Sequence, residues 1–322
     1  MAGEKVLSKN VARENSIAID PIVKKVWEIY GQVIEERKPV RNPVKILELL
    51  RTQYKLLVEP RVVYLTIAAF MNNRPVLFEG PPGTGKTEIG EAILTLWSGK
   101  TAFILPCSEN YDEYRVIGDF HPVMAMSKGF NEESFIPRPL LAALILNTGI
   151  LIDEIRRSSE EFQNMLLDII DKRRIIVPEL KKVYVQRDIG FQVILTSNPE
   201  DIAQNELSDA FLRRVIRIKF SYPDPETEAQ ILKLRLDKDY NMIPSSLLGR
   251  MIDVVNKLRK EASYKPGPAD TVSWASLAVR LAVSRGKKVV DNRDVIESGE
   301  VVLIKNLEDE KLVQDLLYSV FK

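Results

Sequence analysis

This 322-residue sequence has one cysteine, one histidine and almost no excess of either charge. The single cysteine, Cys107, excludes an internal disulfide and favours a reducing compartment, and we expect its side chain to be a small buried apolar group. The single histidine, His121, has no second histidine or cysteine to join it, which argues against zinc and favours an exposed loop position. Lys and Arg total 46 and Asp and Glu total 45, so the basic excess typical of proteins bound to nucleic-acid phosphates is absent.

A long apolar run is also missing. No stretch approaches the roughly 20 apolar residues that a membrane span requires. The first residues, MAGEKVLSKN, lack the apolar segment of a signal peptide, so we expect no membrane span and a cytoplasmic location. What remains is the composition of an ordinary globular protein, 45% apolar and 28% charged, with enough length for about two domains.

One stretch fits the phosphate-binding pattern GxxxxGK followed by Ser or Thr without a mismatch. It consists of Gly80, Pro81, Pro82, Gly83, Thr84, Gly85, Lys86 and Thr87. A buried strand is predicted just before it and a helix just after it, and this order lets backbone N–H groups and a helix N-terminus hold phosphate. Lys86 is then expected to reach the β and γ phosphates and the Thr87 hydroxyl to hold Mg²⁺. A chance glycine-rich turn is the alternative, and eight matching residues in this context argue against it.

A second apolar strand, Gly149 to Ile152, ends in two carboxylates, Asp153 and Glu154. In nucleotide hydrolases a carboxylate at the end of a buried strand helps to hold Mg²⁺, and a second one polarises the attacking water. We assign Asp153 to the metal and Glu154 to the water. Strands often end in acids, so the pattern alone is weak, but its position 67 residues after Lys86 strengthens it.

Two later segments carry further candidates. A buried strand ends in Asn198, which is expected to orient the lytic water, although Asn-Pro is also a common turn. A short helix ends in Arg213 and Arg214. Arginines at a helix C-terminus are usually dipole partners or solvated charges. The alternative is an arginine finger that reaches the γ-phosphate bound by the next subunit.

The sequence as a whole predicts a protein of three parts. Asp20 and Pro21 are typical of a helix start, and an apolar stripe at helical spacing continues to Ile34. We interpret it as a helix packed on its own domain, with docking on a neighbouring subunit as the alternative. The predicted parts are residues 1–43, an N-terminal extension with one amphipathic helix; 44–221, an α/β nucleotide-binding domain; and 222–322, a smaller helical domain.

Further elements are predicted within the second part. They are helices over 44–57 and 61–71, an inserted hairpin or loop within 118–139, and a hairpin over 174–187.

In chain order the motifs GPPGTGKT, LIDEI, TSNP and LSDAFLRRV, followed by helices, resemble those of the AAA+ ATPases and, within them, of the MoxR family. The segments DEIRRSSEEFQNMLLDIID, VPEL and LSDAFLRR look most similar to its CoxD-like branch. The resemblance spans about residues 46–302. It implies an α/β fold, a parallel-sheet P-loop AAA+ domain with a smaller all-helical lid domain, and an enzyme that hydrolyses ATP with Mg²⁺.

The resemblance also implies roles for single residues. They are Walker A for Lys86 and Thr87, Walker B for Asp153 and Glu154, sensor 1 for Asn198, and the arginine finger for Arg214, with Arg213 as the second choice. Two positions depart from the family pattern. Residues 271–275 read TVSWA where a sensor 2 arginine is common, with no arginine until Arg280, and Arg156 stands where an asparagine is common.

As for assembly, the resemblance implies a homo-oligomer, expected to be a hexameric ring, whose two insertions face the central pore. It implies a chaperone-like remodeller of protein complexes or a metalloenzyme maturation factor, with a von Willebrand factor A (VWA) domain partner and a protein client. Two alternatives remain open. One is a nucleic-acid motor or loader, and the other is an ATP-binding scaffold with little turnover.

Overall fold

The computed structural model describes residues 20–109, 112–199 and 205–322. The predicted polar start of the N-terminal extension lies outside these residues. The central feature is a sheet of five parallel strands. Its strands are β1 Val76–Glu79, β2 Phe103–Pro106, β5 Ile150–Asp153, β8 Val193–Ser197 and β9 Ile216–Lys219. They lie side by side in the order β2-β5-β8-β1-β9.

The three central strands β5, β8 and β1 are buried on both faces and are mostly apolar, whereas the edge strands β2 and β9 are partly exposed. On β1, Val76 and Phe78 enter one core and Leu77 enters the core on the opposite face. Helices cover both sides. The longer ones before the helical part are α1 Pro21–Tyr30, α2 Pro43–Thr52, α3 Pro60–Met71, α4 Lys86–Ser98, α7 Pro139–Leu146 and α8 Glu160–Lys172. The predicted parallel α/β class is therefore confirmed.

The N-terminal helix α1 begins as predicted and ends early. The Asp20 side chain accepts hydrogen bonds from the backbone N–H groups of Ile22 and Val23, which caps the helix. The helix ends at Tyr30 and not near Ile34: the N–H of Gly31 closes the last turn on Trp27, and after it the N–H of Val33 bonds to the carbonyl of Tyr30 in a tighter turn. Ile22 and Val26 are fully buried, so α1 packs on its own chain. Helix α2 likewise ends at Thr52, five residues before the predicted end at 57.

Two small antiparallel hairpins project from the sheet region. The first pairs β3 Gly118–Phe120 with β4 Phe135–Pro137, and the second pairs β6 Arg174–Val177 with β7 Lys182–Val185. Between β3 and β4 lies helix α6 Pro122–Lys128, which was not predicted. Pro122 occupies a first-turn position, where its missing N–H costs nothing. Two four-residue helices complete this part, α5 Glu113–Val116 and α9 Asp209–Leu212.

The chain after β9 is helical, as predicted. Its helices are α10 Pro225–Leu236, α11 Ser245–Glu261, α12 Pro268–Ser284, α13 Asn292–Leu303 and α14 Glu310–Phe321. They share one core around the fully buried Trp274. In the described ranges, no helix is both long enough and apolar enough to cross a membrane.

A buried ion pair fixes the turn that leads into α12. Arg259 donates to the two carboxylate oxygens of Glu228 at 2.7 and 2.8 Å, and its Nε donates to the carbonyl of Pro266 at 2.8 Å. The Thr271 hydroxyl donates to the same carboxylate at 2.6 Å. Glu228 is fully buried, so these bonds satisfy a charge that would otherwise be costly in the core.

Candidate nucleotide-binding site

The loop between β1 and α4 has a backbone that only glycine adopts easily. Gly83 and Gly85 have φ values of 71° and 82°, in the left-handed region. Gly85 is the N-cap of α4, so the helix N-terminus points into the loop. Free N–H groups and the positive end of the helix dipole make this a place for an anion.

Lys86 is held inside the loop by the loop's own backbone. Its Nζ donates to the carbonyls of Gly80 and Pro81, both at 2.8 Å, and the residue is 5% exposed. Burial lowers the pKa of Lys86, while the nearby carboxylates of Glu154 and Asp153 act in the opposite direction. A buried ammonium beside a loop of backbone donors has the charge needed to bind phosphate.

Thr87 and Asp153 meet directly below the loop. The Thr87 hydroxyl donates to Oδ1 of Asp153 at 2.7 Å, and the Thr196 hydroxyl donates to the same oxygen at 2.6 Å. Thr196 also accepts the N–H of Glu154 at 2.9 Å. These bonds join α4, the end of β5 and the end of β8 around one carboxylate.

Glu154 and Asn198 follow neighbouring strands. Glu154 comes directly after β5 and Asn198 directly after β8, and the two strands pair in parallel. The carboxyl ends of parallel strands meet at one edge of a sheet, which is also where the phosphate loop follows β1. Glu154 has a φ of 55°, a left-handed conformation that is uncommon for residues other than glycine. Such strain is often found at functional sites.

The oxygen groups at this edge fit Mg²⁺ held jointly with a phosphate chain. Thr87 offers a hydroxyl and Asp153 a carboxylate, both hard ligands at one point. Within residues 20–109, 112–199 and 205–322 no group of three or more His, Cys, Asp or Glu could hold a metal by itself. His121 is exposed, and Cys107 is buried and not in a disulfide. Mg²⁺ commonly binds with few protein ligands and substrate phosphates.

The structure does not bring the two candidate arginines to this edge. Arg213 and Arg214 come just before β9, which runs parallel to β1, so they lie at the opposite end of the strands. Arg214 forms an ion pair with Asp171 and donates to the carbonyl of Ala210. The Arg213 side chain is exposed and makes no hydrogen bond or ion pair with the described residues, while its carbonyl accepts from Arg74 at 2.8 Å.

In the described part of the chain, no arginine of the helical part bonds to the phosphate loop. The N–H of Ala269, in the first turn of α12, donates to the carbonyl of Gly83 at 3.3 Å. Arg280, the first arginine of α12, is 62% exposed and pairs with Asp239. It lies about 17 Å along the helix from Ala269. A second link joins α10 to α4, where Arg235 donates to Glu88 at 2.8 Å.

Several residues at the site were missed by the sequence interpretation. No role was predicted for Thr196, although it directly precedes Ser197 and Asn198 in the TSN motif. Glu79, at the end of β1, is 3% exposed and pairs with Arg217. Its only sequence signal is an acid at the end of a buried apolar strand. The contact of Gly267 with the loop has no local signal.

These features define the fold. The fold is that of a P-loop AAA+ nucleotide-binding domain, an α/β domain built on a parallel sheet, followed by a helical part. Residues 75–215 match the family model of the AAA domain (dynein-related subfamily), a range that runs from the start of β1 to just before β9.

Known proteins with similar sequences include an ATPase. The chain is 26% identical over 230 residues to the gas vesicle ATPase GvpN of Ancylobacter aquaticus, covering 67% of this chain and 62% of that protein. It is 26% identical over 164 residues to the uncharacterized protein YehL of Escherichia coli, covering 50% and 45% of the two chains. A third relative is protein CbbQ of Hydrogenophilus thermoluteolus, 26% identical over 193 residues, covering 57% and 68%. The chain therefore spans less than two thirds of the first two of these relatives.

Proposed function

We propose that this protein hydrolyses ATP with Mg²⁺. One observation carries the proposal, namely the 2.7 Å hydrogen bond between Thr87 and Asp153 beneath a left-handed glycine loop that holds Lys86. The family match over residues 75–215 and the similarity to a gas vesicle ATPase support it. Preference for ATP over GTP follows from the resemblance to AAA+ ATPases.

In this proposal the loop binds and orients the phosphate chain, and residues 80–87 supply the contacts. Lys86 exchanges its carbonyl partners for β and γ phosphate oxygens. Thr87 and Asp153 would hold Mg²⁺, which would neutralise phosphate charge when bound. Glu154 accepts a proton from the attacking water at its carboxylate, and Asn198 orients that water. Catalysis is then mostly positioning and charge stabilisation.

We further propose that the active assembly is a ring, with a hexamer as the expected size. Arg213 and Arg214 lie at the opposite end of the strands from the loop, so neither is placed to serve its own subunit. An arginine supplied by a neighbour would stabilise charge on the transferring phosphoryl group. Arg214 remains our choice and Arg213 the second. The division at residue 221 into an ATPase domain and a lid, with residues 1–43 as an extension, is part of the same proposal.

Beyond hydrolysis, we propose a MoxR-type remodeller of protein complexes that acts on a protein client with a VWA-domain partner. Support comes from the motif resemblance and from the similarity to GvpN and CbbQ. Assignment to the CoxD-like branch stays a prediction, as does the cytoplasmic location.

Steady-state ATP hydrolysis against protein concentration tests the central proposal, with the assembly mass measured on the same samples. Specific activity should rise with assembly, and Glu154→Gln should abolish turnover while ATP still binds. Absence of turnover in the wild type would favour an ATP-binding scaffold. Strong stimulation by DNA would favour a nucleic-acid motor.

A further inference from the structure

One arginine next to the proposed hydrolytic residues contacts two other strand ends. Arg156 lies in the short 3-10 turn Ile155–Arg157, which follows Glu154. Its Nε donates to Oγ of Ser197, at the end of β8, at 2.8 Å. Its Nη2 lies 3.7 Å from Oε1 of Glu79, at the end of β1. The guanidinium therefore links the ends of β5, β8 and β1, which are adjacent in the sheet.

Glu79 is an uncommon partner, because its carboxylate is almost completely buried at 3% exposure. A buried carboxylate is costly unless its oxygens are paired. Oε2 accepts from Nε of Arg217 at 2.7 Å. Oε1, the oxygen nearest Arg156, has no hydrogen-bond partner among the residues that the structure describes. Arg156 and Glu79 thus form an ion pair with no hydrogen bond between them.

Each contact of Arg156 is next to a residue of the proposed site. Glu79 precedes Gly80, whose carbonyl accepts from Lys86 and whose N–H donates to the carbonyl of Ser197 at 3.2 Å. Ser197 precedes Asn198, and Arg156 itself is two residues after Glu154. The carbonyl of Arg156 accepts from the N–H of Asn205 at 2.9 Å, which fixes its turn. A shift of this side chain would change the spacing between the phosphate loop and the water-orienting segments.

We propose that Arg156 and Glu79 form a connector that sets this spacing, with Arg156 as a positioning residue for ATP hydrolysis. The inference rests on the proposed function. ATP binding brings Arg156 and Oε1 of Glu79 within hydrogen-bond distance and so aligns Glu154 with the phosphates. The connector should affect turnover more than affinity, because the loop's own donors bind the phosphates and attack by water depends on alignment.

The test compares Arg156→Gln with Arg157→Gln. Arg157 is the exposed neighbour in the same turn, and its side chain makes no hydrogen bond or ion pair with the described part of the chain, so it controls for charge. The kcat and KM for ATP, the Kd of a fluorescent ATP analogue with Mg²⁺, and the Tm are measured for each. In Arg156→Gln we expect kcat to fall about ten-fold or more, with Kd within about three-fold of wild type. Arg157→Gln should match the wild type.

Three further variants make the result specific. Glu79→Gln should reproduce the loss of kcat, and the double variant should be no worse than the more damaged single variant, because the two residues act as a unit. Arg156→Lys keeps the positive charge but lacks the planar guanidinium group, so its kcat should lie between those of the wild type and Arg156→Gln. This variant also keeps the inference open to test if Arg156→Gln does not fold.

The inference is overturned if both Arg156 variants match Arg157→Gln in kcat. It is also overturned if kcat falls only together with a weaker Kd and a lower Tm, which would indicate general structural damage. In both cases turnover by the wild type would leave the proposed function in place. If the wild type shows no turnover, the proposed function itself fails and the connector with it.

Discussion

A Cβ atom built on Gly267 would lie 2.7 Å from the Cα of Gly83. The phosphate loop and the start of α12 therefore touch backbone to backbone, with no room for a side chain between them. The turn that contains Gly267 is fixed by Arg259, which donates to the carbonyl of Pro266 and pairs with the buried Glu228. Movement of the loop on binding a nucleotide would thus be passed directly to the helical part.

Substitution Gly267→Ala should weaken nucleotide binding. Its φ of −87° suits any residue, so the cost is the steric clash with Gly83 and not backbone strain. We expect the Kd of an ATP analogue to rise about ten-fold, since the loop must give way, and calorimetry measures it. Gly249→Ala is the matched control, because nothing lies within 4 Å of its added Cβ and alanine favours helix α11. Equal affinity in the two variants would show that the contact has no part in binding.

The buried pair itself should contribute strongly to stability. Glu228→Gln leaves the Arg259 guanidinium, 8% exposed, without its carboxylate. Breaking such a pair costs about 3–5 kcal/mol in the free energy of unfolding. Urea denaturation followed by circular dichroism measures this loss. The exposed pair of Arg280 and Asp239 is the comparison, and Arg280→Gln should cost about 1 kcal/mol or less. Similar costs for both substitutions would contradict the role assigned to burial.

Much of the fold follows from local sequence pattern. The buried strands next to Glu154 and Asn198, the glycine loop and the Asp20 cap were predicted because period, apolar run and capping chemistry are local signals. Helix α6 was missed because its seven residues are too few for a period to be visible. The early end of α1 at Tyr30 was missed because Val33, although apolar, is 64% exposed and extends the apparent stripe.

The candidate site divides in the same way. Lys86, Thr87, Asp153 and Glu154 lie in two short motifs, so the sequence indicates them, although their roles stay predictions. Contacts between residues far apart in sequence could not be predicted, because only the tertiary fold brings these residues together. Arg156 and Glu79 are one such pair, and Gly83 and Gly267 are another. The location of Arg214 relative to the loop likewise depends on strand order and direction.

The thiol of Cys107 should not react with thiol reagents in the folded protein. Burial, with the nearby charges of Asp153 and Glu154, raises the pKa of Cys107 from 9.0 to about 12. Ellman's reagent at pH 8 should detect no thiol in the native protein and one after unfolding, because the thiolate is the reactive form. Rapid reaction of the native protein would contradict this burial.

The raised pKa of Cys107 also determines how its contribution to the free energy of unfolding changes with pH. The unfolded chain releases the thiol proton near pH 9, while the folded chain retains it to about pH 12. The contribution of Cys107 is fully present below pH 9 and is lost as pH rises through this window. Cys107→Ala should therefore lose less stability than wild type between pH 9 and the alkaline limit of folding. Parallel curves of unfolding free energy against pH for the two proteins would show that the shift is absent.

Mixing two inactive variants tests whether an arginine acts between subunits. Glu154→Gln subunits keep Arg214 but lack the proposed base, and Arg214→Ala subunits have the reverse defect. Since Arg214 lies at the opposite end of the strands from its own phosphate loop, a mixed assembly can pair an intact loop with an intact neighbouring arginine. We expect ATP turnover to recover on mixing, and the same mixture made with Arg213→Ala to show which arginine is the finger. No recovery with either arginine variant, in samples where mass measurement confirms co-assembly, would exclude a shared site. The ion pair of Arg214 with Asp171 would then be its structural role.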